Sequence, residues 1–200
     1  MSFVEDSLIA VGLVPIAGVD EAGRGACAGP LVIASVILKD IHAKYLTDLR
    51  DSKELSESQR ETLFPIIQNE ADAISVIIVD PKDIDHRGVH AANLDGMRRA
   101  VEGLELSPNY VLTDGYAISG LSMPSLAIWK GDQVAASISA ASIIAKVTRD
   151  RIMVDLDSKY PGYGLAKHKG YITATHTKAL SELGVSEIHR RSYANIAKLL

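Results

Sequence analysis

Cysteine is almost absent from this 200-residue chain: Cys27 stands alone, so neither a disulfide framework nor a cysteine-based zinc site is available. Long apolar runs are missing as well. The longest, Leu31–Leu38, covers eight residues including Ser35, far short of a bilayer. The start, Met1-Ser2-Phe3-Val4-Glu5-Asp6, lacks a basic segment followed by an apolar one and is not read as a signal peptide. These absences predict a soluble, cytoplasmic protein. No Gly-Lys-Ser/Thr occurs, which excludes a P-loop. Gly23-x-Gly25-x-x-x-Gly29 has a last spacing one residue too long for the dinucleotide fingerprint, and Asp20 and Glu21 beside it would repel a pyrophosphate. Asp20-Glu21-Ala22 does not supply the Asp-x-Asp of haloacid-type phosphatases. His86, His90, His168, His176 and His189 are scattered and are read as surface or hydrogen-bonded residues, not zinc ligands.

What is present is an ordinary globular composition, 47% hydrophobic and 23% charged with 15 glycines and 7 prolines, enough for one sizeable domain. The net charge of −4 argues on its own against a nucleic-acid partner, but its distribution does not. Residues 146–191 hold nine Lys/Arg against five Asp/Glu, a balance of +4, and the remainder holds twelve against twenty, a balance of −8. A basic segment beside an acidic remainder suits a protein that holds phosphates at one surface and cations at another.

Periodicity predicts an α/β domain with a mostly helical C-terminal portion. Residues 16–19 and Leu31–Leu38 read as buried strands that a short loop joins as an antiparallel pair, and residues 74–79 read as a third strand. Ser56-Glu57-Ser58-Gln59 is a capping box opening a helix that Pro65 should kink. Leu94, Met97, Val101 and Leu104 form a helical stripe within 89–103. Residues 110–113 and 126–129 are short strands, and 135–158 a long helix whose first half, Ser137-Ile138-Ser139-Ala140-Ala141-Ser142, is small enough for close packing on a sheet. Helices near 173–183 and 192–199 follow Pro161-Gly162-Tyr163-Gly164.

Four acids share one context. Asp20, Glu21, Asp114 and Asp132 each sit where an apolar strand gives out, which is where open α/β sheets place their ligands. Adjacent carboxylates raise each other's proton affinity, a cost that a hard divalent cation such as Mg²⁺ or Mn²⁺ removes. Because successive strand residues point to opposite faces, Asp20 and Glu21 can share a cleft only if the strand ends there, which Gly23 and Gly25 make plausible. Four carboxylates without an obvious nucleophile point to metal-assisted hydrolysis of a phosphoryl group. The glycines of the Gly-Arg-Gly turn also let the backbone come close to a ligand and point N–H groups at it.

Gly18-Val19-Asp20-Glu21-Ala22-Gly23-Arg24-Gly25, Asp51-Ser52-Lys53, Asp114-Gly115, Lys130-Gly131-Asp132, the run from Ser139 to Asp150 and His168-Lys169-Gly170-Tyr171 together resemble the ribonuclease HII family, in that order. The resemblance runs from about residue 16 to His189-Arg190-Arg191-Ser192. It implies a ribonuclease H-like five-stranded mixed sheet flanked by helices, in a single catalytic domain with a core at about 16–158 and a helical substrate-binding part at about 159–200. It further implies cleavage of RNA in RNA–DNA hybrids and incision 5′ of single ribonucleotides in duplex DNA, leaving 3′-hydroxyl and 5′-phosphate ends. Asp20, Glu21, Asp114 and Asp132 match the family's Mn²⁺- or Mg²⁺-binding acids. Gly23, Arg24 and Gly25 match the loop that reads the 2′-hydroxyl. Tyr171 matches the tyrosine at the RNA-to-DNA junction, with Tyr160 and Tyr163 close by as alternatives, and Lys53, Lys146 and Arg149 match candidate phosphate contacts.

Two other readings compete. A junction resolvase would want a strongly basic, dimeric surface, and a binding module with structural acids would want basic partners for them. The expected partners are hybrid and ribonucleotide-containing duplexes, with no membrane and a monomeric chain. Asn195-Ile196-Ala197-Lys198-Leu199-Leu200 lacks the paired aromatics of a sliding-clamp peptide.

Overall fold

The structure, a computed structural model, describes residues 4–46 and 55–200; the Asp51-Ser52-Lys53 motif, Lys53 included, lies outside the described residues. Five strands, β1 (Ile16–Ala22), β2 (Leu31–Leu38), β3 (Ala71–Val79), β4 (Tyr110–Asp114) and β5 (Ser125–Ile128), form one mixed sheet in the order β3-β2-β1-β4-β5. β1 pairs antiparallel with β2 and β2 with β3, whereas β4 runs parallel to β1 and to β5.

Helices cover both faces, so β2 is buried along its whole length. Its residues alternate as a pleated strand must. Val32, Ala34 and Val36 join a core with Ala140, Ala141, Ile143 and Ile144 of helix α5 (Ala136–Lys159) and Leu63, Phe64 and Ile67 of α2 (Glu57–Glu70). Leu31, Ile33 and Ile37 face the other way, against Met97, Ala100 and Val101 of α4 (Val89–Glu102). The small residues opening α5 have a physical cause. A Cβ at Gly18 of β1 would stand 2.1 Å from the Ser137 carbonyl carbon, so the helix backbone lies directly on the strand.

Most elements match their predicted bounds within one residue, and the departures are informative. β1 continues three residues past its predicted end because it keeps pairing with β2 as far as Ala22↔Val32, and β3 starts at residue 71 instead of 74. Ser56 and Gln59 form the reciprocal capping box, and α2 then remains helical through Pro65, which lies on its exposed side. Leu94 of the predicted α4 stripe is only half-buried. Helices α1 (Val4–Ala10), α3 (Pro81–Arg87) and α6 (Leu165–His168) have no counterpart in the sequence reading. α7 (Ala174–Leu183) matches it, but α8 covers only Ala194–Ala197.

α1 has a clear purpose. Its buried Glu5 accepts hydrogen bonds from the Ser137 backbone N–H (2.9 Å) and hydroxyl (2.8 Å) at the start of α5, whose own N-cap residue Ala135 has no side-chain acceptor. The C-terminal helices close a further core: Met153, Tyr163, Leu165, Leu180, Ile188 and Ile196 pack around Cys27 and Ala28 of the β1–β2 loop. No helix among the described residues is long and apolar enough to cross a membrane.

Candidate active site

The heads of β1 and β4 open into a cleft of about 530 Å³ lined by Asp20, Glu21, Gly23, Arg24, Gly25 and Asp114 on the sheet side. Arg60 of α2, Ser142 and Lys146 of α5, and Tyr171 close it. An adjoining depression shares Glu21, Arg24 and Asp114. The strand does not stop to bring Asp20 and Glu21 together. Instead β4 ends at Asp114 while β1 runs on to Ala22, so the β1 edge beyond Val19↔Thr113 lacks its parallel neighbour and both carboxylates reach the opening.

Asp20 is only 6% exposed. Its burial, first, and the charges of Glu21 and Asp114, next, hold its carboxyl well above the usual carboxylate range, against the pull of the Ser142 hydroxyl and the Glu21 backbone N–H at 2.7 Å. Asp114 Oδ1 accepts from the Gly131 N–H at 2.7 Å. Asp132, 3% exposed in the 3-10 turn Gly131–Gln133, follows the Gly131 that donates to Asp114 and is not among the residues lining the cleft. Asp20, Glu21 and Asp114 offer an all-oxygen donor set whose mutual repulsion a hard cation relieves, and so they fit Mg²⁺ or Mn²⁺. Among the described residues no three such groups enclose an ion by themselves. His86 and His90, four residues apart, sit on two helices separated by Gly88 at φ +77.

The Gly23-Arg24-Gly25 turn is braced from behind by residues far away in the chain. Arg149 is fully buried, donating from Nε to Pro30 O (2.9 Å) and from Nη2 to Ala28 O (3.1 Å), and burial pulls its pKa down to about 10. The expectation that Arg149 contacts phosphates is therefore corrected: its guanidinium faces loop carbonyls, away from solvent. Sequence reasoning missed Arg190, equally buried, which donates from Nη1 to Arg24 O (3.1 Å) and to the Tyr193 hydroxyl (2.8 Å). It also missed Tyr193, whose hydroxyl donates to Arg24 O at 2.5 Å. Both lie at or beside the His189-Arg190-Arg191-Ser192 segment, but only the fold sets them against residue 24. Arg60 was also missed, since nothing local marks a helical arginine as facing a cleft.

Lys146 lines the cleft while donating to Asp150 Oδ1 at 2.7 Å. Of the three candidate tyrosines only Tyr171 reaches the cleft, 39% exposed and within 5.5 Å of the Arg149 guanidinium. Tyr160 donates to Glu187 outside it, and Tyr163 is buried, bonded to Gly184 O. A hydrogen-bonded chain of rings holds Tyr171. The Ser186 N–H donates to His189 Nδ1 (3.1 Å), so His189 carries its proton on Nε2 and donates it to His176 Nε2 (3.2 Å). His176 must then be protonated on Nδ1, which donates to Tyr171 O at 3.0 Å. Burial depresses both imidazoles, His189 to about 4, and keeps the chain neutral.

A five-stranded mixed sheet with carboxylates gathered at the heads of its central strand β1 and the parallel neighbour β4 is the ribonuclease H-like arrangement of a metal-dependent phosphodiester hydrolase. The sequence model of the family described as Ribonuclease HII matches residues 17–196. Ribonuclease HII of Mycobacteroides abscessus is 57% identical over 193 residues, covering 96% of this chain and 82% of that one. The ribonuclease H2 of Pyrococcus horikoshii OT3 superposes with a TM-score of 0.79 at 31% identity, covering 92% of this chain and 96% of that one. Bst-RNase HIII, solved in complex with Mn²⁺, shares the fold at a TM-score of 0.73 and 18% identity over 96% of this chain and 71% of that one. The chain belongs to the ribonuclease HII family, metal-dependent nucleases that cleave the RNA strand of RNA–DNA hybrids. The resolvase and binding-module readings fall with that assignment.

Proposed function

We propose that the protein removes ribonucleotides from DNA by incising 5′ of a single ribonucleotide in a duplex, as well as cutting longer hybrids, and leaves 3′-hydroxyl and 5′-phosphate ends. The observation that carries this reading is one cleft in which Asp20, Glu21 and Asp114 meet the Gly23-Arg24-Gly25 turn and Tyr171. The chain is read as one catalytic domain, with residues 16–158 as core and 159–200 as the helical part that supports the substrate, acting as a monomer.

Asp20, Glu21 and Asp114, with Asp132 entering from the turn beside Asp114, hold two Mg²⁺ or Mn²⁺ ions in this reading. Such ions, when bound, supply Lewis-acid stabilisation of the attacking and leaving oxygens. The chain's own residues do the rest. The backbone of Gly23, Arg24 and Gly25 approaches the ribose and reads its 2′-hydroxyl, the group that distinguishes RNA from DNA. Tyr171 packs on the sugar at the junction with the following deoxynucleotide. Lys146 exchanges Asp150 for a backbone phosphate, and Arg24 and Arg60 add positive potential to the cleft wall. The test is metal-dependent cleavage of a DNA duplex carrying one ribonucleotide, with the cut mapped to the nucleotide. A cut elsewhere than 5′ of the ribonucleotide overturns the reading.

Tyr171→Ala is expected to lower cleavage of the single-ribonucleotide duplex by about 10²-fold, the scale of a 1 Å positioning error, with a smaller loss on long hybrids and an unchanged melting temperature. Tyr171→Phe keeps the ring and should retain most activity. Equal losses on both substrates, accompanied by destabilisation, would mean that Tyr171 only anchors its turn.

Binding should weaken with salt despite the acidic net charge, with a log–log slope of about −0.9 per phosphate neutralised. Lys146→Ala should make that slope shallower by about one unit and weaken all sequences alike. An unchanged slope places Lys146 outside the interface.

A further inference from the structure

The chain's single tryptophan, Trp129, is 83% exposed, an unusual position for the largest apolar side chain. It was expected to close the last strand. β5 instead ends at Ile128, and Trp129 occupies the turn beyond it. That turn is fixed on both sides to the metal-site strand: Gly115 N donates to Ile128 O at 2.9 Å, and Gly131 N donates to Asp114 Oδ1 at 2.7 Å. Lys130, between them, adopts a left-handed conformation (φ 54), which a non-glycine residue holds only at a cost that its surroundings must offset. The backbone at Trp129 is therefore held in a set relation to Asp114.

The depression of about 350 Å³ that adjoins the catalytic cleft has Trp129, Lys130 and Tyr116 as its outer wall and shares Glu21, Arg24 and Asp114 with the cleft. The Arg24 guanidinium lies 4.7 Å from the Tyr116 ring centroid, so this wall carries two aromatic rings and two cations. Tyr171 occupies the cleft, and Trp129 occupies the adjoining depression. A strand lying across the shared acids thus meets an aromatic residue in each.

We propose that Trp129 and Lys130 form a second substrate contact, seating the sugar–phosphate backbone of the duplex beyond the cleavage position. The indole face covers a sugar, its Nε1–H donates to a phosphate oxygen and Lys130 neutralises a neighbouring phosphate. An exposed aromatic with adjacent cations fits a nucleic-acid backbone: the ring supplies sequence-tolerant contact and the charges supply affinity. The proposal rests on Asp20, Glu21 and Asp114 being the reacting centre.

The lone tryptophan makes the test direct. A DNA duplex carrying one ribonucleotide and a fluorescent label is titrated into the protein in EDTA, with binding followed by label anisotropy and Trp129 followed by emission and acrylamide quenching. Both signals should saturate together, and the bound tryptophan should be protected from acrylamide. Trp129→Ala should weaken binding about tenfold with its loss in KM rather than kcat, Trp129→Phe should recover part of it, and Lys130→Ala should make the salt slope shallower by about one unit. Binding seen by anisotropy while Trp129 emission and accessibility stay unchanged overturns the proposal, as does an unaltered Kd for Trp129→Ala. Failure of the underlying site reading is distinct, because it appears as cleavage that survives loss of Asp114.

Discussion

Asp114→Asn is expected to fold like the parent and to lose cleavage by at least about 10²–10³-fold under saturating Mg²⁺, the scale on which removing one preorganised charge-stabilising group acts. Asparagine keeps the Oδ1 acceptor that the Gly131 N–H uses, so the turn leading into α5 survives. What disappears is one of the two carboxylates, Glu21 and Asp114, that the cleft shares with its adjoining depression. With Asp114 neutral, the Asp20 carboxyl loses one of the two charges that raise its proton affinity and should titrate lower. Affinity for an uncleaved duplex should hold or rise, since less negative charge faces the phosphates. Single-turnover cleavage beside an anisotropy titration separates the two effects. A rate near the parent's would remove Asp114 from the metal-binding set. Asp132→Asn is expected to behave alike, which would draw that buried acid into the set despite its place outside the cleft.

Gly23→Ala should be among the most damaging single-methyl changes in the chain. Gly23 sits at φ +90, where an L side chain is strained by about 1–3 kcal/mol. Its new Cβ would also lie 1.8 Å from Arg149 Nε and 2.4 Å from Cδ, well inside any tolerable contact. Arg149 cannot move aside cheaply, because it is fully buried and moving would break its hydrogen bonds to Pro30 O and Ala28 O. Together these effects should cost about 3–5 kcal/mol and lower the melting temperature by about 10 °C. Gly25→Ala supplies the contrast, since its Cβ would touch only Tyr171 Cε1 at 4.0 Å. That variant should melt like the parent and lose cleavage, because the methyl obstructs the ribose alone. Equal melting temperatures for both variants would mean that Arg149 is not the brace it looks like.

Much of this was legible in the chain, and the exceptions have physical reasons. β2 could be read from its apolar run because burial on both faces leaves that signature. The end of β1 could not, because pairing with Val32 overrides the polarity of Asp20 and Glu21. α1 escaped notice because its key residue is a glutamate that is buried to cap a helix more than a hundred residues away. Arg149 looked like a phosphate contact because charge in a basic segment suggests solvent, whereas its carbonyl partners come from a loop that only the fold delivers. Tyr171 was separable from Tyr160 and Tyr163 only by the direction each ring takes.

The latch on Arg24 has a consequence in time as well as in space. The carbonyl of residue 24 is held by Arg190 and Tyr193, and the loop behind it is pinned by Ile188 O receiving the Gly29 N–H and by the Arg190 N–H bonding Cys27 O. All four acids leave the ribosome long before those partners do. A nascent chain stopped anywhere short of residue 190 therefore carries the carboxylates without the fixed turn that would aim a ribose at them. Cleavage competence should therefore wait until residues 190 and 193 have been made, so that a nascent chain holding only the acids is not yet a nuclease.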